Sequence, residues 1–544
     1  MQVLTADYVV IGAGSAGCVL ANRLSADGRS KVILIEAGGD DRLLHNPRQL
    51  SANAMIRIPA GYTRTLRDGR VSWNYSTEPE AELGGRQVHY PRGKVLGGSS
   101  ALNGLLWVRG MPEDYDGWRD AGCTGWGWDA VEPIFRRIEN FGPVSSDGGV
   151  DLQFAPIENC TFEAMVGAFQ QSGLPVDANL NESVGERVGR VPMTARRGVR
   201  RSAAVTYLHP AMRRSNLTVL TQVMVKRIRC ENGNAVAVEC IRGGAPFEVS
   251  ATREIVLSAG ALNSPKILEL SGIGQAERLK SAGISVVADS PKVGENLQDH
   301  YTLAVSARLK PGNPSFNTVS SGIGLAGQIL KFAVRRSGIL TAGASGYCAF
   351  LKSGPEVDRP DLQYFFAPAT IDLEGSSRNG RINLEKAPGL SIAFYPVRPR
   401  SRGHVHIVSG DHEASPRMVA NFLSDESDRR VSVAGLRLAR AALAQPALAA
   451  IVERELMPGS ATQTDEDLLS YARSAGGTGH HQCGTCAMGS SAQDVVNPAL
   501  QVNGVRNLRV ADASVMPNMV SANTNAATIM IGERAAEMIL ATRA

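Results

Sequence analysis

The sequence predicts an α/β protein in which a Rossmann-like nucleotide-binding domain carries an inserted α+β domain built on an antiparallel sheet. Three observations predict this architecture. A glycine-rich turn near the N-terminus joins an apolar strand to a helix. A short apolar strand that ends in an acidic residue returns near the C-terminus. Between them, from Tyr301 to Leu469, short alternating segments are typical of antiparallel strands.

The N-terminal element is a βαβ unit with a dinucleotide-binding fingerprint. Residues 8–11 form an apolar strand, and Gly12, Gly14 and Gly17 follow it in the GxGxxG spacing. Gly12 permits the tight turn, Gly14 lets the backbone approach a pyrophosphate, and Gly17 allows the helix to pack on the strand. The N-terminus of the helix expected over residues 18–24 offers free N–H groups to the anion.

The second strand of this unit covers residues 32–35 and ends at Glu36, whose carboxylate would accept hydrogen bonds from adenosine ribose hydroxyls. Such an acid suits NAD or FAD equally. A strand predicted over residues 507–512 ends at Asp512 and would bring the C-terminal part of the chain to the same site. Because FAD is long enough to need both parts, we expect FAD.

The elements between these strands follow from local patterns. Residues 92–100 form a glycine–serine loop that would approach a ligand closely. Residues 254–260 form a strand, and a helix follows with Ser264 as its N-cap and Pro265 at its first position. The alternation over residues 403–408 predicts an antiparallel strand that is exposed on one face.

Composition limits the function classes. A chain of 544 residues is too large for one core, so two domains are expected. The net charge of +5 comes from 57 basic and 52 acidic residues, so binding to nucleic acid or to anionic membranes is not indicated. No secretory leader and no transmembrane stretch is recognisable.

The 8 cysteines are scattered, which indicates a reducing, cytoplasmic environment. Cys483 and Cys486 have CxxC spacing, but no second pair or ligand set accompanies them. We therefore expect no metal. The oligomeric state cannot be inferred from the sequence.

Four longer motifs carry a family resemblance. Residues 93–103, 260–274, 293–300 and 512–517 resemble, in this order, signatures of the glucose–methanol–choline oxidoreductases. These are flavoenzymes that oxidise alcohols. The resemblance covers nearly the whole chain.

The resemblance also implies a division into domains. The FAD-binding domain would comprise residues 1–157, 213–302 and 473–544, and the substrate-binding domain would comprise residues 158–212 and 303–472. The substrate pocket would lie between the two, above the flavin.

The same resemblance implies two catalytic residues. The family's catalytic histidine falls at His481, and its second catalytic position, a histidine or asparagine, falls at Asn523. Two departures from the family pattern stand beside them: His480 replaces a tyrosine, and Gln482 replaces a proline. The extra imidazole of His480 leaves open which histidine faces the flavin.

These residue types suit alcohol oxidation to an aldehyde. The alcohol must lose its O–H proton and a carbon-bound hydride, which passes to flavin N5. A neutral imidazole at His481 has a suitable pKa to take the proton. The amide of Asn523 can donate a hydrogen bond to the developing oxyanion without titrating.

The cofactor contacts expected from the fingerprint, the loop and the resemblance include two leucines near the flavin ring and a valine at the adenine. The full set is Gly12, Gly14, Ser15, Ala16, Gly17, Glu36, Ala37, Gly97, Gly98, Ser99, Asn103, Gly104, Leu105, Leu106, Val225, Ala259, Gly260, Asp512, Ala513, Asn523 and Thr524.

The binding mode and the substrate follow from similar reasoning. Some family members attach the flavin to a histidine in the first signature, but here Leu102 precedes Asn103 and offers no nucleophile. We expect non-covalent FAD, and oxygen or another electron acceptor. The expected substrate is a small, uncharged primary alcohol, either aliphatic or aromatic. Two alternatives stay open: a flavin lyase or photo-enzyme on the same fold, and a flavin-binding protein without turnover.

Overall fold

The computed structural model describes residues 2–144, 148–157, 159–372, 375–376 and 382–542. It contains two large sheets with helices packed around them, and the remaining strands form small two-stranded ladders.

The strands, numbered in chain order, are β1 Gln2–Ile11, β2 Val32–Ile35, β3 Ser72–Ser76, β4 His89–Gly93, β5 Glu139–Asn140, β6 Val150–Asp151, β7 Val176–Asp177, β8 Arg187–Arg190, β9 Ala195–Arg196, β10 Val199–Arg200, β11 Leu217–Leu220, β12 Met224–Glu231, β13 Asn234–Arg242, β14 Ala245–Leu257, β15 Ile273–Gly274, β16 Ala288–Asp289, β17 Tyr301–Leu309, β18 Tyr347–Leu351, β19 Leu362–Ala367, β20 Gly389–Pro396, β21 His404–His406, β22 Arg417–Val419, β23 Val452–Met457, β24 Gly477–Thr478 and β25 Leu508–Val510.

The α-helices are α1 Ser15–Leu24, α2 Leu50–Arg57, α3 Tyr62–Thr65, α4 Pro112–Asp120, α5 Trp128–Ile138, α6 Cys160–Gln171, α7 His209–Ala211, α8 Gly260–Leu270, α9 Ala276–Ser281, α10 Phe316–Val319, α11 Gly322–Arg335, α12 Glu426–Leu443, α13 Pro446–Ala449, α14 Asp465–Ala475 and α15 Thr524–Ala541.

The first sheet has the order β11-β2-β1-β14-β13-β12, and β25 pairs with the end of β14. The strands β11, β2, β1, β14 and β25 run parallel, whereas β13 and β12 extend the sheet as an antiparallel meander. Every residue of β2 is apolar and buried, as expected for a parallel strand covered on both faces. The structure confirms the predicted βαβ unit, which consists of β1, α1 and β2.

The parallel strands end at the same edge of this sheet. Ile11 pairs with Ile35 on one side and with Leu257 on the other, and Leu257 pairs with Val510. The four turns that follow these residues therefore meet, although they are far apart in the sequence. This edge, at the carboxyl ends of parallel strands, is where such sheets bind nucleotides.

The first and last helices pack together on one face of this sheet. A Cβ added to Gly17 would fall 1.8 Å from the carbonyl oxygen of Gly12, so only glycine lets α1 lie this close to the turn. Arg23 of α1 and Glu533 of α15 form an ion pair at 2.7 Å. The C-terminal helix thus holds the nucleotide-binding helix in place.

The second sheet has the order β23-β17-β20-β19-β18-β8-β7, with β24 joined to β17. It is antiparallel except between β7 and β8. Gly435 of α12 lies against the ring of Phe394, and the Tyr364 hydroxyl donates to the Gly435 carbonyl at 2.9 Å. A parallel sheet with helices beside an antiparallel sheet with helices confirms the predicted fold class.

The two sheets draw on different stretches of chain. The first uses strands within residues 2–257 and 508–510, and the second uses strands within residues 176–190 and 301–478. The domain limits given above stay a prediction.

The predicted start of α8 is wrong. The helix begins four residues before Ser264, because the carboxylate of Asp512 accepts its first N–H at 2.8 Å and thereby caps it. The Ser264 hydroxyl, now inside the helix, donates to the same carboxylate. Pro265 leaves the Ala261 carbonyl without its helical N–H, and the Thr485 hydroxyl donates to that carbonyl instead at 2.6 Å.

The predicted exposed face of β21 is also wrong. His406 is 2% exposed, because its imidazole lies between the carboxylates of Glu269 and Glu295 at 2.8 and 2.9 Å. Alternation of histidine and valine looks like a strand with a solvent face, but the two acids come from other parts of the chain and bury it.

Candidate active site

Two glycine-rich turns meet at the edge of the parallel sheet. Gly12 has a φ of 97°, and a Cβ there would lie 2.5 Å from the Ser258 carbonyl oxygen. A Cβ on Gly98 would fall 2.7 Å from the Cα of Gly14. Because both positions exclude a side chain, backbone N–H groups line the approach to α1, whose N-cap Gly14 provides no side-chain hydrogen bond. This cradle fits a pyrophosphate.

Glu36 is buried beside this cradle. Its carboxylate accepts hydrogen bonds from the N–H groups of Ala13 at 2.9 Å and Gly38 at 2.8 Å. Burial raises its pKa to about 7, although these hydrogen bonds and the charge of Lys94 oppose the shift. Each oxygen retains a lone pair for a further donor, so the residue fits the ribose contact predicted for it.

A single cavity of about 470 Å³ runs from this edge to the second sheet. Its walls contain both predicted catalytic residues and nearly all of the predicted cofactor contacts: Gly12, Gly14, Ser15, Ala16, Glu36, Ala37, Gly98, Ser99, Asn103, Gly104, Leu105, Leu106, Val225, Ala259, Gly260, His481, Asp512, Ala513, Asn523 and Thr524.

Two predicted contacts, Gly17 and Gly97, do not belong to the cavity wall that the structure describes. Gly17 lies behind the first turn, where it lets α1 approach. Gly97, with a φ of 91°, donates its N–H to the Ala13 carbonyl at 2.8 Å and joins the two turns. Both glycines shape the cradle from behind.

The two ends of the cavity differ in chemistry. One end is lined by the apolar residues Val225, Ile267 and Leu270, with Lys266 and His412 beside them. The apolar residues suit a flat aromatic base such as adenine. The other end carries the imidazoles of His480 and His481. A long cofactor lying along the cavity would therefore place its nucleotide end and its reactive end in distinct surroundings.

His481 contacts Asn523 at the second end. The Nδ2 of Asn523 lies 3.0 Å from Nε2 of His481, and Nδ1 of His481 lies 2.9 Å from Nδ1 of His300. Nε2 of His300 lies 3.0 Å from the Val397 carbonyl oxygen, which can only accept.

This chain of contacts fixes the protons. Because the His300 Nε2–H donates to a carbonyl, the Nδ1 of neutral His300 accepts the Nδ1–H of His481. Nε2 of His481 is then the unprotonated atom, and its lone pair accepts a hydrogen bond from the side-chain amide of Asn523 at the cavity wall. Burial lowers the pKa of His300 to about 3, and burial together with neighbouring His300 lowers that of His481, so both rings are neutral.

Asp299 holds the backbone of this segment. Its buried carboxylate accepts the N–H of His481 at 2.8 Å and the side-chain amide of Gln482 at 2.7 Å. Burial raises the pKa of Asp299 to about 6. Gln482, which departs from the family pattern, thus has a definite partner.

The second departure, His480, has a left-handed backbone with a φ of 63°, and its carbonyl accepts from Arg92 at 2.8 Å. Its ring also lines the cavity, and burial lowers its pKa to about 3. The imidazole in contact with Asn523 is that of His481, and its catalytic role stays a prediction.

The sequence did not predict two features of the catalytic end: the aromatic wall opposite His481, and the histidine that contacts His481. Phe365 and Tyr395, from β19 and β20, line the catalytic end, and the Tyr395 ring stacks on His300 with centroids 4.1 Å apart. Phe365 and Tyr395 belong to strands with alternating sequence patterns, and nothing in those patterns indicates that they line a cavity. His300 ends a motif that was recognised, but the motif does not say what its imidazole touches.

Cys483 and Cys486 are buried and free, and burial raises the pKa of both thiols. Within the part of the chain that the structure describes, the group with metal-ligand geometry is a different one, Asp40, Asp41 and His209. There Asp40 pairs with Arg42, and Asp41 lies 2.8 Å from His209. The expected absence of a metal stays a prediction.

None of the helices in the described ranges combines the length and the apolar character that a membrane crossing requires.

The sequence is similar to known proteins over nearly its whole length. The GMC oxidoreductase family models match residues 6–302 and 399–532. An alcohol dehydrogenase [acceptor] from Pseudomonas putida is 36% identical over 546 residues, covering 98% of this chain and 95% of the relative. An oxygen-dependent choline dehydrogenase from Sinorhizobium medicae is 39% identical over 550 residues, covering 99% of this chain and 96% of the relative.

Solved structures agree. The crystal structure of pyridoxine 4-oxidase from Mesorbium loti matches with a TM-score of 0.84 and 30% identity, covering 98% of each chain. A fungal aryl-alcohol oxidase matches with a TM-score of 0.84 and 25% identity, covering 99% of each. The four resembling motifs, the cavity and these matches lead to one conclusion: the chain belongs to the GMC oxidoreductase family.

Proposed function

We propose that this enzyme oxidises an uncharged alcohol to its aldehyde, with FAD as cofactor, His481 as base and Asn523 as hydrogen-bond donor. Membership of the family makes it an FAD-dependent oxidoreductase that acts on CH–OH groups. The observation that carries the assignment of residues is the contact between the lone pair on Nε2 of His481 and the amide of Asn523 at the catalytic end of the cavity.

When bound, FAD supplies the acceptor for the hydride. The protein supplies the rest. Nε2 of His481 takes the hydroxyl proton, and the amide of Asn523 stabilises the negative charge that develops on the oxygen. His300 stacks on Tyr395 and accepts the Nδ1–H of His481, and this holds the ring of the base in one orientation. The lone pair on Nε2 becomes available when the Asn523 amide donates to the substrate oxygen instead.

The cavity walls support an uncharged substrate. Within the described lining, the carboxylates are those of Glu36 and Asp512, which lie at the edge of the parallel sheet. Leu105, Phe365 and Tyr395 line the catalytic end instead. A cationic alcohol such as choline would have no carboxylate to offset its desolvation there, whereas an aliphatic or aromatic alcohol would gain from burial.

Anaerobic mixing of the yellow holoenzyme with an alcohol panel tests this proposal. Rapid bleaching by benzyl alcohol and 1-octanol, with slow or no bleaching by choline, is the expected result. Bleaching by none of the alcohols would favour a lyase, a photo-enzyme or a flavin-binding protein. Faster bleaching by choline would contradict the proposed substrate class.

The electron acceptor needs a parallel measurement. Turnover with oxygen and turnover with an artificial dye, under the same alcohol concentration, distinguish an oxidase from a dehydrogenase. We also propose a cytoplasmic location, which the eight free cysteines support.

A further inference from the structure

The helix α11 carries apolar side chains on the face that points away from the protein. Ile323, Leu330 and Val334 are 93%, 64% and 71% exposed, and Ile329 beside them is 52% exposed. At 100° per residue the first three fall on one side of the helix. The opposite side holds the buried residues Gln328 and Phe332, so the exposed side of α11 is the more apolar one.

Exposed apolar residues elsewhere, such as Leu44 and Val184, are scattered along the chain. Four on a single helix form a contiguous patch, which we call the α11 patch (Ile323, Ile329, Leu330 and Val334). Such patches on soluble surfaces mark a site of interaction.

Two cations border the α11 patch, and two more lie at the C-terminal end of the helix. Lys331 and Arg335 lie on the helix, whereas Arg336 ends it with a φ of 51° and places its guanidinium over the Phe332 ring, 4.9 Å from the centroid. The Arg336 carbonyl packs against the turn at Gly198, which brings the exposed Arg197 to the same place. Among the described residues, none of these four cations has a carboxylate within ion-pair distance.

The surrounding sequence contributes no negative charge. No Asp or Glu occurs between Asp299 and Glu356, so α11 lies in the middle of a long stretch whose charged residues are all basic. The net charge of the chain is small because acids elsewhere compensate for this stretch. The whole-chain balance, from which no membrane binding was expected, therefore does not describe this surface.

We propose that α11 is a docking helix for an anionic lipid surface, lying in the interface with Ile323, Leu330 and Val334 among the acyl chains. An apolar helix face flanked by Lys and Arg is the chemistry that such surfaces bind. A second copy of this chain fits less well, because a symmetric contact would bring the cations of both helices together. The cytoplasmic leaflet carries the required negative charge.

Sedimentation with vesicles tests the proposal on the FAD-loaded enzyme. We expect binding to phosphatidylcholine vesicles that contain about a third phosphatidylglycerol, and much weaker binding to phosphatidylcholine alone or at high salt. The variant K331Q/R335Q/R336Q should lose about fivefold in partition coefficient per cation removed. The variant I323S/L330S/V334S should lose more than about tenfold.

Matched controls separate the patch from general surface properties. The variant R29Q/R213Q/K280Q removes three other exposed cations, and L44S/V184S/V408S removes three other exposed apolar side chains. Both should bind like the unchanged enzyme. Flavin absorbance and alcohol oxidation with a soluble dye show that each variant is folded; should the I323S/L330S/V334S variant fail this check, the lipid comparison and the K331Q/R335Q/R336Q variant decide.

Three results would overturn the proposal. The first is that the unchanged enzyme binds neither kind of vesicle. The second is that it binds both kinds equally and the K331Q/R335Q/R336Q variant is unaffected. The third is a dimer in light scattering that the I323S/L330S/V334S variant dissociates, which would assign the α11 patch to a second copy of the chain.

Discussion

At the scale of single residues, the proposed chemistry depends most on His481. Replacing it with alanine removes the lone pair that faces Asn523 but leaves the glycine cradle untouched. We expect FAD to stay bound and flavin reduction by alcohol to slow by about two to four orders of magnitude. Anaerobic stopped-flow absorbance measures the rate.

The neighbouring imidazole provides the control. His480→Ala should slow reduction less, because the ring of His480 has no contact with Asn523 among the described hydrogen bonds. A larger loss in His480→Ala than in His481→Ala would show that the assignment of the two rings is reversed.

Asn523 should matter by a smaller and definite amount. A single hydrogen bond to an oxyanion contributes about 3 kcal/mol to the transition state, so Asn523→Ala should slow reduction by about a hundredfold without abolishing it. The ratio of flavin reduction rates between the variant and the unchanged enzyme measures this contribution. Unchanged kinetics would remove Asn523 from the site.

The pH dependence follows from the burial of the base. Burial and the neighbouring His300 lower the pKa of His481 below its ordinary value of 6.5. The neutral form is the active base, so flavin reduction should stay constant as the pH falls from 8 to 6.5 and decline only at more acidic pH. A decline that is centred at or above pH 6.5 would contradict the neutral chain of His300 and His481.

At the scale of elements, His406 ties α8 to the strand β21. Burial opposes its protonation, but hydrogen bonds to Glu269 and Glu295 outweigh burial and raise its pKa. Since the folded pKa lies above the unfolded one, the stabilisation is complete below about pH 6.5 and is lost as the pH rises through the folded pKa.

His406→Ala should therefore destabilise the protein by about 3 kcal/mol at pH 6, where a buried ion pair is broken, and by less at pH 9. Thermal unfolding of both proteins across this range measures the difference. His404, half-buried on the same strand, gives a contrast, because burial lowers its pKa. His404→Ala should therefore cost less stability at pH 6 than at pH 9, which is the opposite trend. An equal difference at both pH values would argue against a charged His406.

Helices and strands that follow from local sequence patterns were predictable. The side chains from distant parts of the chain that cap or bury them were not. The run of residues 32–35 alone predicted β2 with its observed limits. The start of α8 was misplaced because Asp512, from the C-terminal part of the chain, caps it. Likewise the local pattern predicted an exposed His406, whereas Glu269 and Glu295 bury its ring in the structure. In each case the missing information was a partner distant in sequence.

At the scale of the whole molecule, the site also combines residues that the sequence predicted with residues that only the fold brings together. The cradle and the pair His481 and Asn523 could be located from motifs. The aromatic wall of Phe365 and Tyr395 and the outward face of α11 could not, because they depend on how the second sheet meets the first and on which helix faces remain uncovered.

The whole fold also determines how the cofactor is held. FAD would be retained by the glycine cradle, by Glu36 and by burial along the cavity, rather than by a covalent bond. Leu102, which precedes Asn103 in the first family motif, lines the cavity and has no nucleophilic atom. A non-covalent cofactor binds the folded state and not the unfolded chain, so unfolding should release it completely.

Precipitation by acid or heat tests this release. All of the yellow colour should remain in the supernatant, with the mass of free FAD. In a separate sample of native enzyme, excess FAD should raise the unfolding temperature, because it shifts the equilibrium toward the folded state. Colour that stays with the washed pellet would mean a covalent link. The histidines of the described cavity wall, His412, His480 and His481, would then be the attachment sites to examine by peptide mass.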